Sequence, residues 1–216
     1  MTMRTRAGSV LLVSGALGLA VSGCGGAPSA PPASSPPALA AEEERPLDAP
    51  HDRLPDACEG VDAESLALLL VAPEEADVDE GGEGGSSAAA RSSCSWEWMS
   101  PELGPSMPAG PSTRSLDVTL DLLDPGTTTE ADAHGAFENS YAHVDGADPL
   151  SGIGDEAVSW WDGDSGWAHV VARDANVIVE VGHVALDWDG EGSEPVAEPE
   201  ARENAESAAE AVLRSL

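Results

Sequence analysis

AVSWWDGDSGWAHVVARDANVIVEVGHVAL, residues Ala157 to Leu186, is the stretch on which the fold turns. Its runs of Ala, Val, Ile and Trp break at Asp162 to Gly166 and again at Asp174 to Asn176, which predicts three strands over 157–161, 167–173 and 177–186. Breaks this short join antiparallel neighbours, because a parallel crossover needs roughly a dozen residues or more. The last strand is richest in β-branched residues and is expected near the centre of the sheet. Trp160 and Trp161 are adjacent in a strand and must face opposite sides of it. One of the two is therefore expected to floor a ligand groove or packing surface, or to be covered by the C-terminal helix.

The first break, Asp162-Gly163-Asp164-Ser165-Gly166, admits three readings. Gly-Asp-Ser-Gly is most of the nucleophile loop of chymotrypsin-like serine proteases, but Trp167 stands where a second glycine is needed and no Ala-His-Cys occurs in the chain. A triad is a geometry of three residues, and only one has a candidate. Asp162-x-Asp164-x-Gly166 resembles the opening of a calcium loop. Ala168 to Asp174 does not supply the further oxygen ligands and the terminal Glu in register, so Asp162 and Asp164 stand as the cation candidates of an incomplete site. A hairpin loop explains more, with glycines taking positive φ and the acids bonding their own backbone. No metal, cofactor or catalytic residue is assigned.

Upstream, Ser115 to Leu122 alternates, with Leu116, Val118, Leu120 and Leu122 inward and Asp117, Thr119 and Asp121 outward. That is the pattern of an antiparallel strand with one wet face. Ser93 to Met99 alternates too, placing Cys94, Trp96 and Trp98 on the core side. A helix is predicted over Ala63 to Val71, capped by Asp62, stapled by Val61 and Leu66, and buried through Leu66, Leu69 and Leu70. A second runs from Thr129 to Val144, with Ala133, Phe137 and Tyr141 on one side. A third, Pro199 to Leu216, presents Ala201, Ala205, Ala208, Val212 and Leu213 to the sheet. Glu74 to Arg91 and Pro101 to Pro111 are expected as loops. The order of elements predicts an α+β domain, a largely antiparallel sheet of about five strands with helices on its faces.

The N-terminus speaks to location. Arg4 and Arg6 precede an apolar run, Val10 to Val21. The run is too short for a spanning helix, which needs about 20 residues, and has the form of a secretory signal. Val21-Ser22-Gly23-Cys24 resembles the bacterial lipobox at all four positions. Residues 1–23 are thus expected to be a lipoprotein signal peptide and Cys24 the lipid attachment site. The anchor would sit on the outer face of the cell membrane, held by more than one acyl chain, since a single chain is marginal. Residues 24–55, rich in Pro, Ala and Ser and lacking an apolar period, read as a disordered tether that includes His51. Residues 56–216 then form one extracytoplasmic domain.

Lysine is absent, and beyond residue 23 the chain carries seven basic residues against forty acidic ones, a formal charge of −33. Nucleic acid is excluded as a partner, because binding it rests on Lys and Arg neutralising phosphates. The bias to Ala, Gly, Pro and Arg without Lys is that of a very GC-rich genome and points to an actinobacterium.

With Cys24 given to lipid, Cys58 and Cys94 remain in an oxidising compartment and are expected to pair. Closing that loop of about 36 residues contributes roughly 4 kcal/mol on the chain-entropy model. Two free buried thiols are the alternative, and zinc is disfavoured because no His or second Cys stands at ligand spacing to either. The histidines are scattered: His134 and His143 are not at i, i+4 spacing, and His169 and His183 fall on different strands. No nucleophile elbow, phosphate loop or dinucleotide fingerprint occurs, which argues against catalysis.

The lipobox, the Pro/Ser/Ala tether, Cys58 before the Leu-rich Ser65 to Leu69, the Cys94-Ser95-Trp96 block and Gly152-Ile153-Gly154-Asp155-Glu156-Ala157 together resemble actinobacterial cell-envelope lipoproteins classed as a domain of unknown function. The resemblance covers most of Cys58 to Val181 and implies a disulfide-stapled α+β domain on the cell surface. It carries over no catalytic residue.

The expected function is a lipid-anchored, non-enzymatic binding or interaction module. Its partners would be the membrane through the N-terminal lipid and a cell-wall component, a small apolar ligand or an envelope protein. An envelope hydrolase with an unrecognised site, or a cation-binding surface domain, is the alternative.

Overall fold

The computed structural model describes residues 50–81, 89–102, 104 and 108–216. The expected signal peptide, Cys24, the expected tether up to residue 49 and most of the glycine-rich run before Arg91 lie outside these residues.

In chain order the elements are α1 (Ala57–Gly60), α2 (Ala63–Leu69), a 3-10 turn (Pro73–Glu75), β1 (Asp77–Gly81), β2 (Ala90–Met99) and β3 (Gly110–Leu122). There follow α3 (Glu130–Tyr141), β4 (Asp148–Leu150), β5 (Glu156–Asp162), β6 (Trp167–Asp174), β7 (Val177–Trp188), β8 (Ser193–Pro195) and α4 (Glu198–Leu213). The fold is α+β with a fully antiparallel sheet in the order β1-β2-β3-β7-β6-β5-β4, and β8 pairs with the end of β7. Two meanders, β1 to β3 and β4 to β7, thus join along β3 and β7, which makes the β-branched β7 central as its composition predicts.

The sheet has eight strands rather than about five. The three that sequence periodicity does not reveal are β1, β4 and β8, which read Asp-Val-Asp-Glu-Gly, Asp-Pro-Leu and Ser-Glu-Pro. Each is short and largely exposed, so no buried face imposes an alternation. Backbone pairing alone defines them, and their acids and prolines are what an edge needs to repel a further strand. The expected loop from Glu74 to Arg91 therefore contains the 3-10 turn, β1 and the start of β2.

One face of the sheet carries the main core. Val177, Val179 and Val181 of β7 and Ala168, Val170 and Ala172 of β6 meet α4 through Ala201, Ala205, Ala208 and Val212, while Leu116, Val118, Leu120 and Leu122 of β3 extend the same core beneath α1 and α2. The small side chains of α4 let the helix lie close on the strands. Asp62 caps α2 by accepting from the Glu64 and Ser65 N–H groups, as its position predicts. Cys58 of α1 is bonded to Cys94 of β2, with Cα atoms 5.1 Å apart, and this pins the N-terminal helices to the core face.

The opposite face carries α3. Thr129 and Asp132 close a capping box at its start, and Phe137 packs on Val158, Val171 and Ile178. Arg173, only 4% exposed, fastens this layer. It donates to Glu156 and to Glu130 of α3, both at 2.7 Å, and to the Ala175 carbonyl at 2.9 Å. His51, placed by its composition in the tether, lies against the domain. Its N–H donates to Asn176 Oδ1 at 2.7 Å, its ring is 3.0 Å from Asp174, and its carbonyl accepts from Asn176 Nδ2.

Candidate functional site

Helix α3 is short and spans only part of its face, leaving the rest of β7, β6 and β3 open on that side. Strand pairing sets what this open face presents. One row crosses the sheet as Trp160 on β5, His169 on β6, Gly182 on β7, Asp117 on β3, Ser95 on β2 and Asp79 on β1. The next row runs Val158, Val171, Glu180, Thr119 and Ser93. Pleating alternates side chains, so members of both rows point to the α3 side.

Three rings stack along the first row. Trp160 and His169 lie 4.8 Å apart at 13°, and Trp167, two residues before His169 on the same strand, lies 5.9 Å from it at 22°. Gly182 permits this. A Cβ at that position would stand 3.0 Å from the Trp167 ring and 3.5 Å from His169 Nδ1. A glycine inside an otherwise β-branched strand thus marks where an aromatic side chain lies across the backbone.

The rings, with Asp117, Thr119, Ser140, His143 and Glu180, line a groove of about 420 Å³. Burial pushes the His169 imidazole below its ordinary range, against the opposing pull of Asp162 and Asp117. Burial likewise pushes the Glu180 carboxyl up. Asp117 accepts from the Ser95 hydroxyl. Arg91 of β2 is bonded to Asp121 through both Nε and Nη2. Among the described residues, neither Asp117 nor Glu180 has an ion-pair partner.

At the groove's rim, Gly163 to Gly166 is the loop of the β5–β6 hairpin. Asp162 Oδ1 accepts from the Asp164 N–H at 3.1 Å and Oδ2 from the Ser165 hydroxyl at 2.6 Å, while Gly166 takes φ 78°. The Ser165 hydrogen bond first, then that from Asp164, holds the Asp162 carboxyl below its usual range. Asp162 is thus engaged by its own turn, and Ser165 bonds a carboxylate rather than the imidazole an activated nucleophile needs. Among the described residues no three His, Cys, Asp or Glu side chains converge as a metal site. No helix among them is long and apolar enough to cross a membrane.

Sequence reasoning had one Trp of the pair outside the core. Trp160 is off the main core but packs against the smaller core cluster around Phe137, while Trp161 packs against the main core. It did not bring Trp167, His169, Gly182, Asp117 and Glu180 together. The i, i+2 spacing of Trp167 and His169 put them on one face, but their neighbours depend on a register between strands distant in sequence. His169 and His183 do not meet: they sit on opposite faces, His183 wholly buried in the main core. Compared with known proteins, the chain matches no family model, no curated protein and no solved structure.

Proposed function

We propose that the chain is a lipid-anchored cell-envelope protein, tethered through Cys24 to the outer face of the membrane, whose domain binds a small ligand or wall component without transforming it. The lipobox-like Val21-Ser22-Gly23-Cys24 supports the anchor, and the resemblance to actinobacterial envelope lipoproteins agrees with it. The stacked Trp160, His169 and Trp167 beside a groove carry the binding reading. Aromatic faces offered to a groove are costly to leave wet and are a usual floor for a ligand with an apolar body.

A thermal-shift screen of the purified chain against wall fragments, lipids, small amines and calcium tests the binding reading. A ligand at 100 times its dissociation constant raises stability by about 2.7 kcal/mol, and that rise should vanish in Trp160→Ala and Trp167→Ala. Shifts that survive both substitutions would move the site elsewhere. A calcium shift lost in Asp162→Asn would favour the cation-binding alternative. The anchor is tested separately: Cys24→Ala should release the protein from the membrane fraction of its host, and retention there would overturn it.

A further inference from the structure

The groove has a sign as well as a shape. Asp117 and Glu180 stand on the adjacent strands β3 and β7, offset by two residues on one face, since Asp117 pairs with Gly182 and Thr119 with Glu180. Such diagonal neighbours lie roughly 7–8 Å apart, their Cβ atoms somewhat closer, a gap that a single ammonium can bridge with a hydrogen bond to each carboxylate. No cation of the protein fills that place among the described residues. Arg91, on the neighbouring strand, is engaged by Asp121, and burial favours neutral His169. Trp160 and Trp167 line the same groove, the Trp167 ring lying across Gly182 beside Asp117, and indole π faces attract positive charge and repel negative charge. Ser140 and Thr119 line the same groove and add hydroxyl acceptors for further N–H donors. An anion would meet two carboxylates there. A neutral apolar ligand would leave both carboxylates beside it without an ion-pair partner, with only the weaker pull of Arg91 and His143 on Glu180, the costlier arrangement as water is expelled.

We propose that the groove takes a protonated organic amine, its ammonium between Asp117 and Glu180 and its apolar body against Trp160 and Trp167. This rests on the binding reading of the same groove and narrows it to a charge class.

The probes are benzylammonium, its neutral counterpart benzyl alcohol and its anionic counterpart benzoate, titrated into the full chain at pH 7.5 and low salt with tryptophan fluorescence as readout. Benzylammonium should saturate the signal, bind about tenfold or more tightly than benzyl alcohol, and weaken as salt is raised. The near-isosteric Glu180→Gln and Asp117→Asn should each weaken it several-fold while leaving benzyl alcohol unchanged, with an unaltered thermal midpoint showing that the fold is kept. Benzyl alcohol binding as tightly as the amine, with both lost in Trp160→Ala, would overturn the amine and keep the groove. Benzylammonium that fails to saturate by about 10 mM, or that ignores both carboxylate substitutions, also overturns the amine. In that case the wider screen above still decides whether the groove binds anything.

Discussion

Trp160 and His169 stack face to face with ring centroids 4.8 Å apart and planes 13° from parallel. Burial is the largest influence on His169 and keeps it below its ordinary range. Removing the indole admits water to one face of the imidazole, so Trp160→Ala should raise the His169 pKa towards that of a free histidine. An NMR titration of the ring protons reads this directly. The loss of an attractive π face pulls the other way, and a pKa that falls would show that the stack stabilises imidazolium more than burial penalises it.

Arg173 ties α3 to the sheet through Glu130 and Glu156 at 2.7 Å each. Truncating a buried cation of this kind costs about 3–5 kcal/mol, and the lower end applies because the acidic partners are partly exposed. Arg173→Ala should therefore lose about 3 kcal/mol by urea unfolding. Because α3 carries Ser140, a groove-lining residue, amine binding should weaken with it. A loss below about 1 kcal/mol would mean that α3 is held by Phe137 and its neighbours alone.

The long alternating strands and the capped helices were legible because burial on one face writes itself into the sequence. Leu116 to Leu122 shows a strand, and Asp62 before Ala63 shows a helix start. The edge strands were not, because Asp77 to Gly81 is exposed throughout and has no face to encode. Cys58 and Cys94 were legible by elimination. The groove was half legible: the Trp160 and Trp161 pair demanded one aromatic off the main core. Placing Asp117 and Glu180 beside it required the β3–β7 register, which local sequence does not carry.

The bond between Cys58 and Cys94 closes a loop of 36 residues and joins α1 to β2. On the chain-entropy model its removal by Cys58→Ala with Cys94→Ala should cost roughly 4 kcal/mol, read as a lowered urea midpoint. The groove lies on the opposite face of the sheet, so ligand affinity at low denaturant should change little. Loss of binding without loss of stability would show instead that the staple sets the groove's shape.

Ala175 is the one non-glycine residue with positive φ among those described, at 49° in the β6–β7 turn. An L-residue pays roughly 1 kcal/mol for that conformation, while glycine adopts it freely but loosens the unfolded chain. The two effects nearly offset, so Ala175→Gly should leave stability unchanged or raise it by up to about 1 kcal/mol. Ala205→Gly, in the buried stripe of α4, should instead lose about 1 kcal/mol or more. Equal losses at both positions would mean that the Ala175 methyl, buried in the turn, matters more than its backbone strain.

His183 is wholly buried in the main core, with Nε2 3.4 Å from the Leu69 carbonyl, and burial lowers its pKa to about 4. The Leu69 carbonyl pulls it up, and Arg114 pushes it further down. The unfolded chain protonates this histidine near pH 6.5 and the folded one only near 4, so the unfolded state binds the extra proton between those values. Stability is therefore full above pH 6.5 and falls by about 1.4 kcal/mol per pH unit down to pH 4, about 3 kcal/mol in all. Urea unfolding of the wild-type chain and of His183→Gln across pH 7.5 to 4 should show a difference that shrinks by that amount as the pH drops, because glutamine has no proton to take up. A difference that stays constant with pH would mean that the imidazole gains its proton without unfolding the core around it.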